Sequence, residues 1–76
     1  MIVYKKLWKL LIDKDMKKTE LSELSKVSMT SIAKLRRNEN VNTEILNKIC
    51  MALECDVSDI MEVIPENENK NGNEEE

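Results

Sequence analysis

Apolar residues recur along this chain at three- and four-residue intervals, separated by short polar breaks, and that rhythm predicts helices. Over residues 5–14, Leu7 and Leu11, with Tyr4, Trp8 and Ile12 beside them, form one broad apolar face. Lys5, Lys6, Lys9 and Asp13 lie opposite. Leu21 and Leu24 predict a second helix over 18–25, and Ile32 and Leu35 a third over 29–36. A fourth, over 43–53, follows from Leu46, Ile49, Cys50 and Leu53. A short fifth helix is expected over 57–61.

Capping residues sharpen these boundaries. Ser28 and Asn42 carry the side-chain oxygens that accept from the open N–H groups of a helix start, and Asp56, with Asp59 three residues on, favours the fifth helix. Thr19 is the best capper near the second helix, although the basic pair at 17–18 allows an earlier start. Met16 is expected to tuck under the charged break at 13–15, and Val41 to plug the core from the loop at 38–41. At the ends, Ile2 to Tyr4 and residues 62–64 have β character, and Pro65 stops the second of these. The two are candidates to pair, within one chain or across a dimer. No internal repeat is evident.

Composition places a boundary. From Pro65 onward the chain has no large apolar residue and holds its only Pro and only Gly, so it is expected to form a disordered acidic tail over 65–76. Residues 1–64 remain as one small all-α domain, large enough for a single core. The chain's net charge is −3, but residues 66–76 carry five Glu and one Lys, which leaves +1 on residues 1–65. Residues 17–37 hold six Lys or Arg against two Glu, a net of +4. The charge is polarised, which is compatible with a DNA-binding face.

Other chemistries find little support. There is no His, no Gly-rich phosphate loop and no paired nucleophile and base, so no enzymatic activity, cofactor or small-molecule ligand is expected. Cys50 and Cys55 lack a further soft ligand; the expectation is two buried, reduced thiols in a cytoplasmic protein, with no metal. No signal peptide is visible, and no apolar run approaches the roughly 20 residues that span a bilayer. Trp8 is read as an anchor of the core or its rim, with a dimer contact as the other reading.

The stretch from Lys17 to Arg37 draws these features together. Two short helices flank a tight break at 25–27, and the second has an apolar back (Ile32, Leu35), a small polar front (Thr30, Ser31) and a cationic end (Lys34, Arg36, Arg37). Such a helix suits the DNA major groove, where base edges need reach and phosphates need charge.

The order and spacing of these helices resemble the Cro/lambda-repressor-like helix-turn-helix family of transcriptional regulators. Leu21-Ser22-Glu23 opens the motif and Val27-Ser28 enters the recognition helix. Ile32 and Leu35 form its buried side, and Leu46, Ile49, Ala52, Leu53, Val57 and Ile60 lie behind it. The phrases KLWKLLIDKDMKKTEL, SIAKLRRNENV and KICMALECDVSDIMEVIP are similar to small, single-domain bacterial members, over about residues 4–64. Two positions depart from the family pattern: Lys26 stands where the turn usually has Gly, and Lys17 is not a polar capper.

The resemblance implies a five-helix fold with the helix-turn-helix at about 18–36. It also implies that Met29, Thr30 and Lys34 face base edges, and that Lys18, Thr19, Ser28, Arg37, Asn38, Asn42 and Thr43 contact phosphates. The expected partner is double-stranded DNA, bound as a homodimer on a near-palindromic operator, most simply as a repressor. The rival is a protein-interaction module of the same fold with little base readout, for which the apolar Met29 speaks.

Overall fold

The structure, a computed structural model, describes residues 1–65. Its elements are β1 (Ile2–Val3), α1 (Lys5–Asp13), α2 (Lys18–Ser25), α3 (Met29–Arg36), α4 (Thr43–Leu53), a 3-10 turn (Val57–Asp59) and β2 (Glu62–Val63). The expected all-α fold is present, with four α-helices; the fifth predicted helix, over 57–61, is a single 3-10 turn. The cap there forms as expected, Asp56 Oδ1 accepting from the Val57 N–H at 2.8 Å. After one turn the chain swings Ile60 fully into the core and extends into β2, so there is no room for a second. The expected tail lies outside the described residues except for Pro65.

The fully buried side chains Leu7, Leu21, Ile32, Leu35, Ile49 and Ile60 draw on every helix and on the 3-10 turn's exit. Met16 and Val41 pack partly buried against this core, as the sequence predicts. Three apolar residues expected to face it do not: Ile12 is 77 % exposed, Leu24 56 % and Val57 42 %. On α2 the buried positions are Leu21 and Ser25, four apart, which turns Leu24 away from α4. Trp8 is half-buried at the rim of the core.

Every α-helix ends on a left-handed residue, and none of the four is glycine: Asp15, Lys26, Asn38 and Glu54 have φ of 55°, 66°, 58° and 54°. Three of these ends form paired reverse hydrogen bonds: Met16 to Leu11 with Asp15 to Ile12, Glu39 to Lys34 with Asn38 to Leu35, and Cys55 to Cys50 with Glu54 to Met51. α2 ends more simply, with the Lys26 N–H donating to Ser22 O at 2.9 Å. Asp and Asn tolerate this backbone region, whereas Lys and Glu bring a Cβ close to the following carbonyl. Lys26→Gly and Glu54→Gly should therefore each raise the unfolding free energy, by up to about 1 kcal/mol. Urea denaturation measures it; a lower midpoint in both variants would contradict the strain.

The α4 end also brings the two thiols together: the Cys55 N–H donates to Cys50 O at 3.0 Å, folding residue 55 back over residue 50. Both are free thiols; Cys50 is buried as expected, whereas Cys55 is only partly buried. Burial, reinforced by Cys50, pushes Cys55 up to about 11, and burial raises Cys50 as well, so both are protonated near neutral pH rather than thiolate ligands or nucleophiles.

β1 and β2 pair antiparallel within the chain, Ile2 opposite Val63 and Val3 opposite Glu62. The Met1 ammonium donates to Ile64 O at 2.8 Å and the Ile64 N–H to Met1 O at 2.9 Å. Of the two pairings the sequence leaves open, the structure has the one within the chain. No helix among the described residues is long and apolar enough to cross a membrane.

Candidate nucleic-acid interface

α2, the turn and α3 form one hydrogen-bonded unit whose connection is built from serines. Ser25 is buried; its Oγ donates to Leu21 O at 2.7 Å and accepts from the Val27 N–H at 3.3 Å. Ser22 Oγ donates to Val27 O at 2.6 Å. Between them Lys26 takes the left-handed conformation that reverses the chain (φ 66°, ψ 22°), and Val27 inserts into the core. The turn forms with lysine where a glycine is cheapest because these side-chain bonds, and Val27's burial, over-determine it.

α3 then starts on Ser28, whose Oγ accepts from the Ser31 N–H at 3.2 Å and donates to Ser31 Oγ at 3.3 Å. Ile32 and Leu35 are buried. A 3.6-residue period therefore points Thr30, Lys34 and Arg37 directly away from the core as one stripe, with Met29 and Arg36 on its flank. Thr30, Lys34, Arg36 and Arg37 are exposed, and Met29 is 45 % exposed. The three expected base-facing residues, Met29, Thr30 and Lys34, thus share the outer surface of α3. Ala33 sits between them, half-buried. The sequence reading passes over it, though its spacing from Met29, one turn on, was the available signal.

The expected phosphate contacts are more varied. α2 opens on Lys17, which has no acceptor to cap the helix; Glu20 Oε1 reaches back to the Lys17 N–H at 2.7 Å instead. Thr19, the better capper by type, lies inside the first turn and is exposed. Lys18 Nζ stands 5.4 Å from the centroid of the Trp8 ring, a cation–π contact that holds the ammonium beside the α2 N-terminus. Asn42 caps α4 as predicted, Oδ1 accepting from the Ile45 N–H at 3.0 Å, and Thr43 is the exposed first residue of that helix.

Arg37 and Asn38 have partners of their own. Arg37 Nε donates to Glu39 Oε2 at 2.6 Å and Nη2 to Glu39 Oε1 at 3.4 Å. The fork raises Arg37, and it lowers Glu39 below the ordinary carboxylate range, with the charge of Lys34 adding to the effect. Asn38 Oδ1 accepts from the Tyr4 N–H at 3.0 Å, fastening the entry of α1 to the exit of α3. Neither partnership is visible from the local sequence pattern. Among the described residues, no group of three or more His, Cys, Asp or Glu side chains is placed to hold a metal ion.

Comparison with known proteins agrees with this geometry. A family model described as the Cro/C1-type HTH DNA-binding domain matches residues 6–66. Among solved structures, the chain is similar to the crystal structure of transcriptional regulator VanUg, Form II, at 55 % sequence identity and a TM-score of 0.80, covering 86 % of this chain and 87 % of that one. No curated protein matches. With its serine-built turn, buried Ile32–Leu35 back and outward Thr30–Lys34–Arg37 stripe, this chain belongs to the Cro/C1-type helix-turn-helix DNA-binding family.

Proposed function

We propose that the protein is a sequence-specific DNA-binding transcriptional regulator that inserts α3 into the major groove and acts as a repressor by occupying its operator. The observation that carries this reading is the two-sidedness of α3: a fully buried back and an outer stripe of Thr30, Lys34 and Arg37. The 55 % identity to a structure named as a transcriptional regulator supports it. In this reading Lys34 donates to guanine O6 and N7. The Thr30 methyl or hydroxyl meets a thymine methyl or a polar base edge, and Met29 supplies apolar contact. With one strong donor on the stripe, part of the selectivity comes from DNA shape and half-site spacing.

Phosphates are taken by Lys18 and Thr19 at the start of α2, by Ser28, and by Asn42 and Thr43 at the start of α4. Helix N-termini favour anions through their open N–H groups and dipole. Arg37 contacts phosphate by exchanging Glu39 for it, and Asn38 uses its amide NH2, since its oxygen is held by Tyr4. Two copies on a near-palindromic operator, with half-sites one helical turn apart, give the affinity that one small domain lacks.

The test is binding to fragments of the protein's own upstream region at about 50 and 200 mM salt, because each neutralised phosphate steepens the salt dependence. The parent should bind selectively and lose affinity steeply with salt; a Lys34→Ala/Arg37→Ala variant should lose the selective binding. The exposed Met29 favours a second reading, docking of another protein on an apolar α3 face. A folded parent that binds no fragment even at low salt, and holds a protein partner with little salt dependence, would favour it.

A further inference from the structure

Residues 66–76, beyond the described part of the chain, read ENENKNGNEEE and carry a net charge of −4. The segment 17–37, which contains the outer side of α3, carries +4. Lys34 on that side, Arg36 on its flank and Lys26 in the turn before α3 are exposed, and none forms a salt bridge among the described residues, though the charge of Lys34 acts on Glu39. Arg37 already holds a carboxylate, that of Glu39, in a two-point fork. The surface is therefore cationic, only partly neutralised by Glu39, and suited to carboxylates.

The route of the chain brings the acidic segment to this place. Ile64 is fastened to Met1 by two backbone bonds, and three residues after Met1 the Tyr4 N–H is bonded to Asn38, at the exit of α3. Three extended residues span roughly 10 Å, so the chain leaves the ribbon about that far from Asn38. Eleven residues reach roughly 36 Å when extended. α3, with 8 residues, is roughly 12 Å long. The segment is therefore long enough to run along α3 from its Asn38 end.

We infer that residues 66–76 dock on the outer cationic side of α3 when DNA is absent, and that phosphates displace them on binding. The occupant is this chain's own segment, because its charge matches the surface and its tether raises its local concentration to the millimolar range. Each contact is exposed and weak, so the docking is electrostatic and salt-sensitive. It lowers the affinity for every duplex by a common factor. It also flattens the salt dependence, since salt loosens the competitor along with the DNA. The competition with DNA rests on the reading of α3 given above; the docking does not.

The experiment compares the full parent chain with a variant carrying Glu66→Gln, Glu68→Gln, Glu74→Gln, Glu75→Gln and Glu76→Gln, first without DNA. At about 20 mM salt, where screening is weak, the backbone amides of Lys34 to Asn38 should differ in shift between the two proteins, and at about 500 mM they should coincide. Identical α3 shifts at low salt overturn the docking. An arbitrary 20-base-pair duplex is then titrated, and the variant should bind about tenfold more tightly at low salt, with the gap closing as salt rises. Equal affinities overturn the competition. Tighter binding by the variant without any α3 shift also overturns the docking and leaves long-range repulsion as the cause. If neither protein binds any duplex, the DNA reading fails, and the DNA-free spectra still decide the docking.

Discussion

Leu35→Ala lowers the unfolding free energy by about 2–5 kcal/mol, the cost of emptying a well-packed leucine site. Leu35 has no exposed surface, and it lies on the side of α3 opposite the Thr30–Lys34 stripe. A domain of this size has a stability of only a few kcal/mol, so the loss takes most of it. At about 4–8 °C per kcal/mol the melting midpoint should fall by at least about 10 °C. The contrast is Leu24→Ala, on the exposed side of α2, which should stay within about 0.5 kcal/mol of the parent. Thermal melts followed by circular dichroism separate the two. Equal midpoints for both variants would mean that Leu35 is not a pillar of the core.

Asn38→Ala removes two things at once: a side chain that tolerates a left-handed backbone at φ 58°, and the acceptor for the Tyr4 N–H. The strain and the orphaned, partly buried donor together should cost about 2–3 kcal/mol. Asn38→Gly keeps the backbone freedom and loses only the acceptor, so it should cost about 1–2 kcal/mol. An alanine variant no less stable than the glycine variant would show that the left-handed residue carries no strain. The pair also tests the DNA role: salt-dependent titrations of both variants show whether the Asn38 amide contacts phosphate in addition to tying α1 to α3.

α3 and α4 are legible in the sequence because periodicity and capping agree there, with Ser28 and Asn42 making the cap bonds expected of them; α2 spans its expected residues although its N-cap is Lys17 rather than Thr19. α1 ends one residue early, at Asp13, because the reverse bonds to Leu11 and Ile12 claim the next turn. The sequence goes wrong where a three-residue spacing has two readings. Leu21 and Leu24 look like one face, but burial follows the four-residue step from Leu21 to Ser25, a small polar residue that no apolar pattern would select.

The outer stripe of α3 is equally legible, because Ile32 and Leu35 fix which way the helix faces. What surrounds the expected contact residues is not. Trp8 beneath Lys18 and Tyr4 bonded to Asn38 join residues far apart in the chain. Glu39 forks Arg37 across a left-handed residue that breaks helical spacing. The first two depend on tertiary structure and the third on the turn geometry at Asn38, and local periodicity carries no trace of either.

The two-stranded ribbon has a consequence for how the chain is made. The Met1 ammonium donates to Ile64 O and Ile2 pairs with Val63, so the earlier strand waits for a partner near the end of the described residues. Ile60 likewise completes the core only when the 3-10 turn has emerged. At about 5–20 residues per second, synthesis from β1 to β2 takes seconds, and through that time the helices lack the strap that closes them. The helix-turn-helix unit is local, whereas the clasp between β1 and β2 waits until β2 has been made. A ribosome stalled before Ile60 would hold a chain with α3 drawn but its core still open.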